Sequence, residues 1–190
     1  MNEALPYLLI DDDFSLNYSL LAIIIYKLGV TSKKNAVLDF EKIQVFIYLT
    51  KNPSKINEVL RLAGKKFAPI NSQYTYTIES LSTNVDILFN RSKLKALIKE
   101  LAARGMLVCD DKTDPSSIKY LLNPVGSSFV ESLIYSTSGE ALTPSQPPSL
   151  DKDCQNYFSS AIEVVESLSA LQTQTTSKLH SYLNEAFKRN

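Results

Sequence analysis

The sequence predicts a mainly α-helical protein, α with a small β-wing: a winged helix-turn-helix core followed by a C-terminal helical arm. Three observations predict it. Apolar residues recur at helical spacing in several capped segments. Residues 90–122 read as helix, strand, polar tip and returning strand, the order that ends a winged helix. A stretch rich in serine and proline then sets off a further helical pattern at residues 151–190. The expected organisation is a helical winged-helix domain over 1–135, a linker over 136–150 and a C-terminal helical arm over 151–190, a unit of its own.

The first element begins after Asp11-Asp12-Asp13, where Asp12 or Asp13 can cap a helix and place negative charge at its positive end. Leu16, Leu20, Ile23, Ile24 and Leu28 keep helical spacing, and Gly29 is the expected stop. Leu21, Ile25 and Tyr26 make other faces apolar too, so this helix belongs at the centre of the core or under a partner. Thr31 to Ala36 is a polar, basic connection. A second helix spans roughly Leu38 to Lys51, capped by Asp39, with Ile43, Phe46 and Ile47 as its buried stripe and Val45 and Leu49 broadening it.

Pro53 opens a third, short helix at a favoured first-turn position, with Asn52 as the expected cap. It carries Ile56, Val59, Leu60 and Leu62 and closes at Gly64. Gln73 to Thr77 alternates as a short strand would, and Ile78 to Phe89 reads as a further helix with Leu81, Val85 and Leu88 inward. The clearest segment is Asn90 to Arg104. Leu94, Leu97, Ile98, Leu101 and Ala102 form its apolar face, opposite Ser92, Lys93, Lys95, Lys99 and Glu100; Asn90 caps it and Gly105 ends it. Met106 to Cys109 and Ile118 to Leu122 are the wing strands around a turn-rich tip. Pro124 to Tyr135 is a helix with Phe129, Val130 and Leu133 inward. In the arm, Asp151 or Asp153 caps a helix on which Cys154, Phe158, Ala161, Val165 and Leu168 step by threes and fours. The pattern resumes at Leu179, Tyr182 or Leu183, and Ala186 after the polar run Gln172 to Lys178.

Composition narrows the function. A chain of 190 residues can bury a real core without staples, and 20 basic against 20 acidic side chains argue against a general coat for nucleic acid or membrane. The longest apolar run, Leu20 to Tyr26, is far short of the ~20 residues that span a bilayer. With no basic leader before Glu3, and with Cys109 and Cys154 in neither a disulfide framework nor a zinc spacing, the expected setting is reducing and cytoplasmic.

Catalytic residues are scarce. His180 is the only histidine, and no nucleophile stands with it in a recognisable motif. Cys109 and Cys154 read as small core hydrophobes, although a helix N-terminus can lower the pKa of a thiol such as Cys154. The aspartate run has no calcium-loop spacing, and Gly64-Lys65-Lys66 lacks the upstream glycine of a phosphate loop. The expectation is a protein that is not an enzyme, with no catalytic residues, no cofactor, no metal and no small-molecule substrate.

The helix after Asn90 sits where a recognition helix would, and Arg91, Lys93, Lys95 and Lys99 are the candidate DNA- or partner-contacting residues. Lys51, Lys55, Arg61, Lys65 and Lys66 could extend a track for phosphate. Yet the helix lacks the asparagine, glutamine and paired arginine that read base edges. The tip sets Asp110, Asp111 and Asp114 against one Lys112. Protein docking therefore outweighs sequence-specific DNA binding, and sequence-independent DNA contact through the lysines is secondary. A winged-helix transcriptional regulator is the alternative. A hydrolase or nuclease has little support.

Three stretches carry a family resemblance: Leu38-Asp39-Phe40-Glu41-Lys42-Ile43-Gln44-Val45-Phe46-Ile47-Tyr48-Leu49; Lys93 to Leu107; and Tyr120-Leu121-Leu122-Asn123-Pro124-Val125-Gly126-Ser127-Ser128-Phe129-Val130. Together with the apolar first helix they resemble the small middle component of bacterial ABC-three-component defence operons, the C subunit of Lamassu-type systems. The likeness runs from the N-terminus to about Tyr135. It implies an accessory subunit without activity of its own, bound to an SMC-like coiled-coil ATPase and to an effector subunit, often a nuclease, in antiviral or anti-plasmid defence. It carries over no catalytic residue.

Overall fold

The computed structural model describes residues 14–68, 70, 90–110, 118–137 and 152–188, with only the backbone described at 136–137 and 152–157. The expected caps Asp12 and Asp13, the strand at 73–77, the helix at 78–89, the wing tip at 111–117 and most of the linker lie outside the described residues, as does the side chain of Cys154. Those described form seven α-helices and a two-stranded antiparallel hairpin.

Helix α1 (Phe14–Leu28) is the axis. Asn17 through Ile25 and Leu28 are all buried, so its near-uniform apolarity has a structural reason: it is covered from most sides. Its neighbours are α2 (Phe40–Lys51), α4 (Arg91–Ala103), α5 (Pro124–Thr137), α6 (Lys152–Ser167) and strand β2 (Lys119–Leu122). After α1, Val37 N–H bonds back to the Gly29 carbonyl and an isolated bridge joins Val30 to Ala36. This tight loop puts Lys34 at φ 61°, a left-handed conformation that a lysine adopts at some cost.

Asp39 caps α2 as expected, its Oδ1 accepting from Lys42 N–H at 2.8 Å. The buried stripe is broader than the sequence predicts. Ile43 and Phe46 are buried with Val45, Tyr48 and Leu49, whereas Ile47 is only half-buried. Lys42, Gln44, Thr50 and Lys51 are buried as well, because α2 is covered by α1 on one side and by α6 and α7 (Thr176–Lys188) on others. Pro53 starts a single 3-10 turn, Pro53–Lys55, that leads into α3 (Ile56–Leu62). Asn52 does not cap it. Its amide donates to Tyr48 O at 2.9 Å, closing the end of α2 instead.

Strand β1 (Leu107–Asp110) pairs with β2, Cys109 opposite Tyr120 and Asp110 opposite Lys119. Tyr120 N–H donates to Leu38 O at 2.8 Å, so the chain entering α2 lines the other edge of β2. Asn123 then fixes the entry into α5: its Oδ1 accepts from Gly126 N–H at 3.0 Å, and its own N–H bonds to Met106 O. At Gly126 any Cβ would lie 2.6 Å from that same Met106 carbonyl, so only glycine lets the helix start against the strand.

The C-terminal arm is two helices, α6 and α7, joined through the 3-10 turn Leu168–Leu171. Phe158, Ala161, Val165 and Leu168 are buried, as their spacing predicts, and so are Val164, Leu171, Leu179, Leu183 and Ala186. These side chains belong to the same buried cluster as α1 and α2. Helix α6 lies on α1 and α5, and α7 lies on α2 and α3.

Candidate partner interface

Helix α4 is built as its pattern requires. Asn90 Oδ1 accepts from Lys93 N–H at 3.0 Å, and Gly105 (φ 65°) ends the helix while Met106 N–H bonds back to Leu101 O. Leu94, Leu97, Ile98 and Leu101 are buried against α1 and β1. Ala102, expected inward, is exposed, because Ile98 and Leu101 already fill the row facing α1 and the next residue turns outward.

The four candidate contact residues divide into two pairs. Arg91 reaches Glu41 Oε1 at 2.6 Å and lies over the Phe40 ring, 5.1 Å from its centroid, which holds it on the first turn of α2. Lys93 is half-buried and engaged. Lys95 and Lys99 are exposed, one turn apart on a face completed by Ala96, Ala102 and Ala103. Near the end of the helix, Glu100 pairs with Arg104 at 2.7 Å, and Arg104 stacks over Tyr18 at 5.3 Å.

The basic residues of the preceding segment lie on other elements, and not all of them reach the surface. Lys42 and Lys51 are buried. Burial pushes the Lys42 ammonium below its ordinary pKa, with the Asp39 charge opposing and Lys119 adding to the shift. Its Nζ donates to Gln172 O at 3.2 Å. Lys65 and Lys66 are exposed, but they follow α3, which packs on α7, whereas α4 packs on α1 and β1.

A polar junction lies around Asp39, which local spacing marks only as a cap. Its Oδ2 accepts from Lys119 Nζ at 3.1 Å and from Thr176 Oγ1 at 2.9 Å, so one carboxylate ties α2 to β2 and to the start of α7. Burial raises its pKa, but the Lys42 N–H, Lys119 and Thr176 hydrogen bonds and the Lys119 charge outweigh that and hold the carboxyl below its ordinary value. Beside it, Gln172 Nε2 donates to Leu28 O at 2.8 Å and to Val30 O at 2.9 Å. No local signal marks these partners, since Lys119, Gln172 and Thr176 are all distant in the chain.

Cys109, expected in the core, is exposed, as is Val108 on the opposite face, because neither face of β1 is covered at its middle by the described residues. His180 is half-buried on α7. Among the described residues no three His, Cys, Asp or Glu side chains group where a metal could be held, and no helix is long and apolar enough to cross a membrane. The exposed large apolar side chains include Phe67, Tyr135 and Val125, the last two on α5. What this surface offers is a small basic face on α4 and scattered apolar side chains.

The protein-family model described as ABC-three component (ABC-3C) system Middle Component 4 matches residues 28–136, which contain α2 to β2 and nearly all of α5. No curated protein and no solved structure matches the chain.

Proposed function

The chain belongs to the Middle Component 4 family of ABC-three-component systems, and from that membership we propose that it is a non-catalytic accessory subunit of a bacterial antiviral or anti-plasmid defence complex in the cytoplasm. A middle component has the other subunits of its system as partners. In this reading they are an SMC-like coiled-coil ATPase and a nuclease-type effector, which the chain couples or regulates by binding both. The family match carries the proposal. The matched segment contains the hairpin and α4, whose outward face offers Lys95 and Lys99 among alanines, a surface suited to docking. Contact between these lysines and nucleic acid phosphate is secondary and sequence-independent.

Co-expression with the neighbouring genes of the operon, followed by pull-down on this chain, tests the reading. Retention of the ATPase is the expected result. A monodisperse monomer that holds none of its neighbours would overturn it.

A further inference from the structure

One carboxylate oxygen is shared by two elements that lie far apart in the chain. Asp39 Oδ2 accepts from Lys119 Nζ on β2 at 3.1 Å and from Oγ1 of Thr176, the first residue of α7, at 2.9 Å. Both members of the ion pair are largely withdrawn from water, with side chains 17% exposed at Asp39 and 18% at Lys119. The other oxygen, Oδ1, accepts from the Lys42 N–H at 2.8 Å. A carboxylate held on both oxygens cannot turn toward one donor without straining its bonds to the others.

The surrounding bonds lead into the same point from both sides. On the hairpin side, Tyr120 N–H donates to Leu38 O at 2.8 Å, one residue before Asp39. Lys119 stands opposite Asp110 at the end of the ladder next to residues 111–117, so a displacement of that end moves the residue that bonds Asp39. On the arm side, Lys42 Nζ donates to Gln172 O at 3.2 Å, four residues before Thr176. The start of α7 and the turn leading to it are thus both tied to the beginning of α2. Lys119 helps to keep the Asp39 carboxyl ionised through its hydrogen bond and its charge. A carboxylate this far from water depends on such compensation. With Lys119 drawn away, it turns toward solvent and gives up the Thr176 hydroxyl.

We propose that the Asp39 carboxylate is a relay between the hairpin and the C-terminal arm: displacing the hairpin at Lys119 loosens the start of α7, and releasing Thr176 loosens the hairpin. Groups that share one hydrogen-bond network do not act independently. A coupling between two sites is reciprocal, so the effect runs in both directions. A contact made at the wing end of the molecule is thereby felt at the first turn of the last helix. The relay lies within the chain itself and does not depend on which proteins the chain binds.

Hydrogen exchange read at single amides of the full chain tests the relay. Lys119→Met should speed exchange at Leu179, whose N–H bonds to Thr175 O, at least about threefold beyond any change in α1. Thr176→Val should do the same at Tyr120, across the relay in the other direction. Lys119→Arg keeps a cationic donor at the site and should leave Leu179 close to the unmodified chain. In an Asp39→Ala background, Lys119→Met should add nothing further at Leu179. An effect of Lys119→Met confined to the hairpin, or one spread equally over α1, α7 and the hairpin, would overturn the proposal. So would a further acceleration at Leu179 when Asp39 is already gone, since the coupling would then bypass the carboxylate.

Discussion

Helices α1 and α4 are similar in length and lie against each other, yet they relate to solvent in opposite ways. Buried positions on α1 run almost without interruption from Asn17 to Leu28, whereas α4 buries four side chains and leaves the rest exposed or half-buried. The difference lies in who supplies the cover. Helices α2, α4, α5 and α6 and strand β2 each turn a face toward α1, so little of α1 is left to solvent beyond its first turn. Helix α4 gives one face to that common axis and keeps the other for contacts outside the fold. An unpatterned apolar helix thus marks the centre, and a cleanly patterned one marks the surface.

The contrast can be broken by substitution, and the expected effects fall in order. Ile24→Ala removes a fully buried side chain from α1 and should cost about 2–5 kcal/mol in chemical denaturation, since the surrounding helices cannot all collapse into the space. Asp39→Ala, at the junction between α2, β2 and α7, should cost about 2 kcal/mol through loss of the cap and the two side-chain bonds. Its effect depends on pH. The folded-state pKa is held below the ordinary 3.8, so the contribution is complete above that value and lost as pH falls through the lowered one. The gap in stability between the unmodified chain and Asp39→Ala should therefore close in strong acid. Smallest is Lys95→Glu with Lys99→Glu on the outward face of α4, which should move stability by no more than about 0.5 kcal/mol. The same pair should lower any retention of DNA at low salt; an unchanged retention would remove this face from nucleic acid contact.

How much could be read in advance followed the same division. The bounds of helix α4 were legible, from the Asn90 cap to the Gly105 stop, because both signals are local. So was the hairpin after it. Asn52 misled because its neighbour Pro53 looked like the start of a capped helix, while the chain instead passes from α2 through one 3-10 turn and the amide is used on the helix behind it. Lys51 has the spacing of a basic surface residue, but α6 and α7 cover α2 and bury it together with Lys42, a fact that no spacing within residues 40–51 could reveal. The ties of Arg91 were hidden for the same reason: its partners Glu41 and Phe40 lie on a different helix. The role of Asp39 as a hub was hidden behind its role as a cap, since one carboxylate does both.

The Gln172 amide has a bearing on the order in which the chain can be finished. The last carbonyl of α1 and that of Val30 just beyond it receive their donors from a residue made long after them. During synthesis these two carbonyls therefore emerge before the donor they bond in the folded chain. Until the turn between α6 and α7 is made, water is left to satisfy them, so this join between the first helix and the arm is among the last contacts the growing chain can complete.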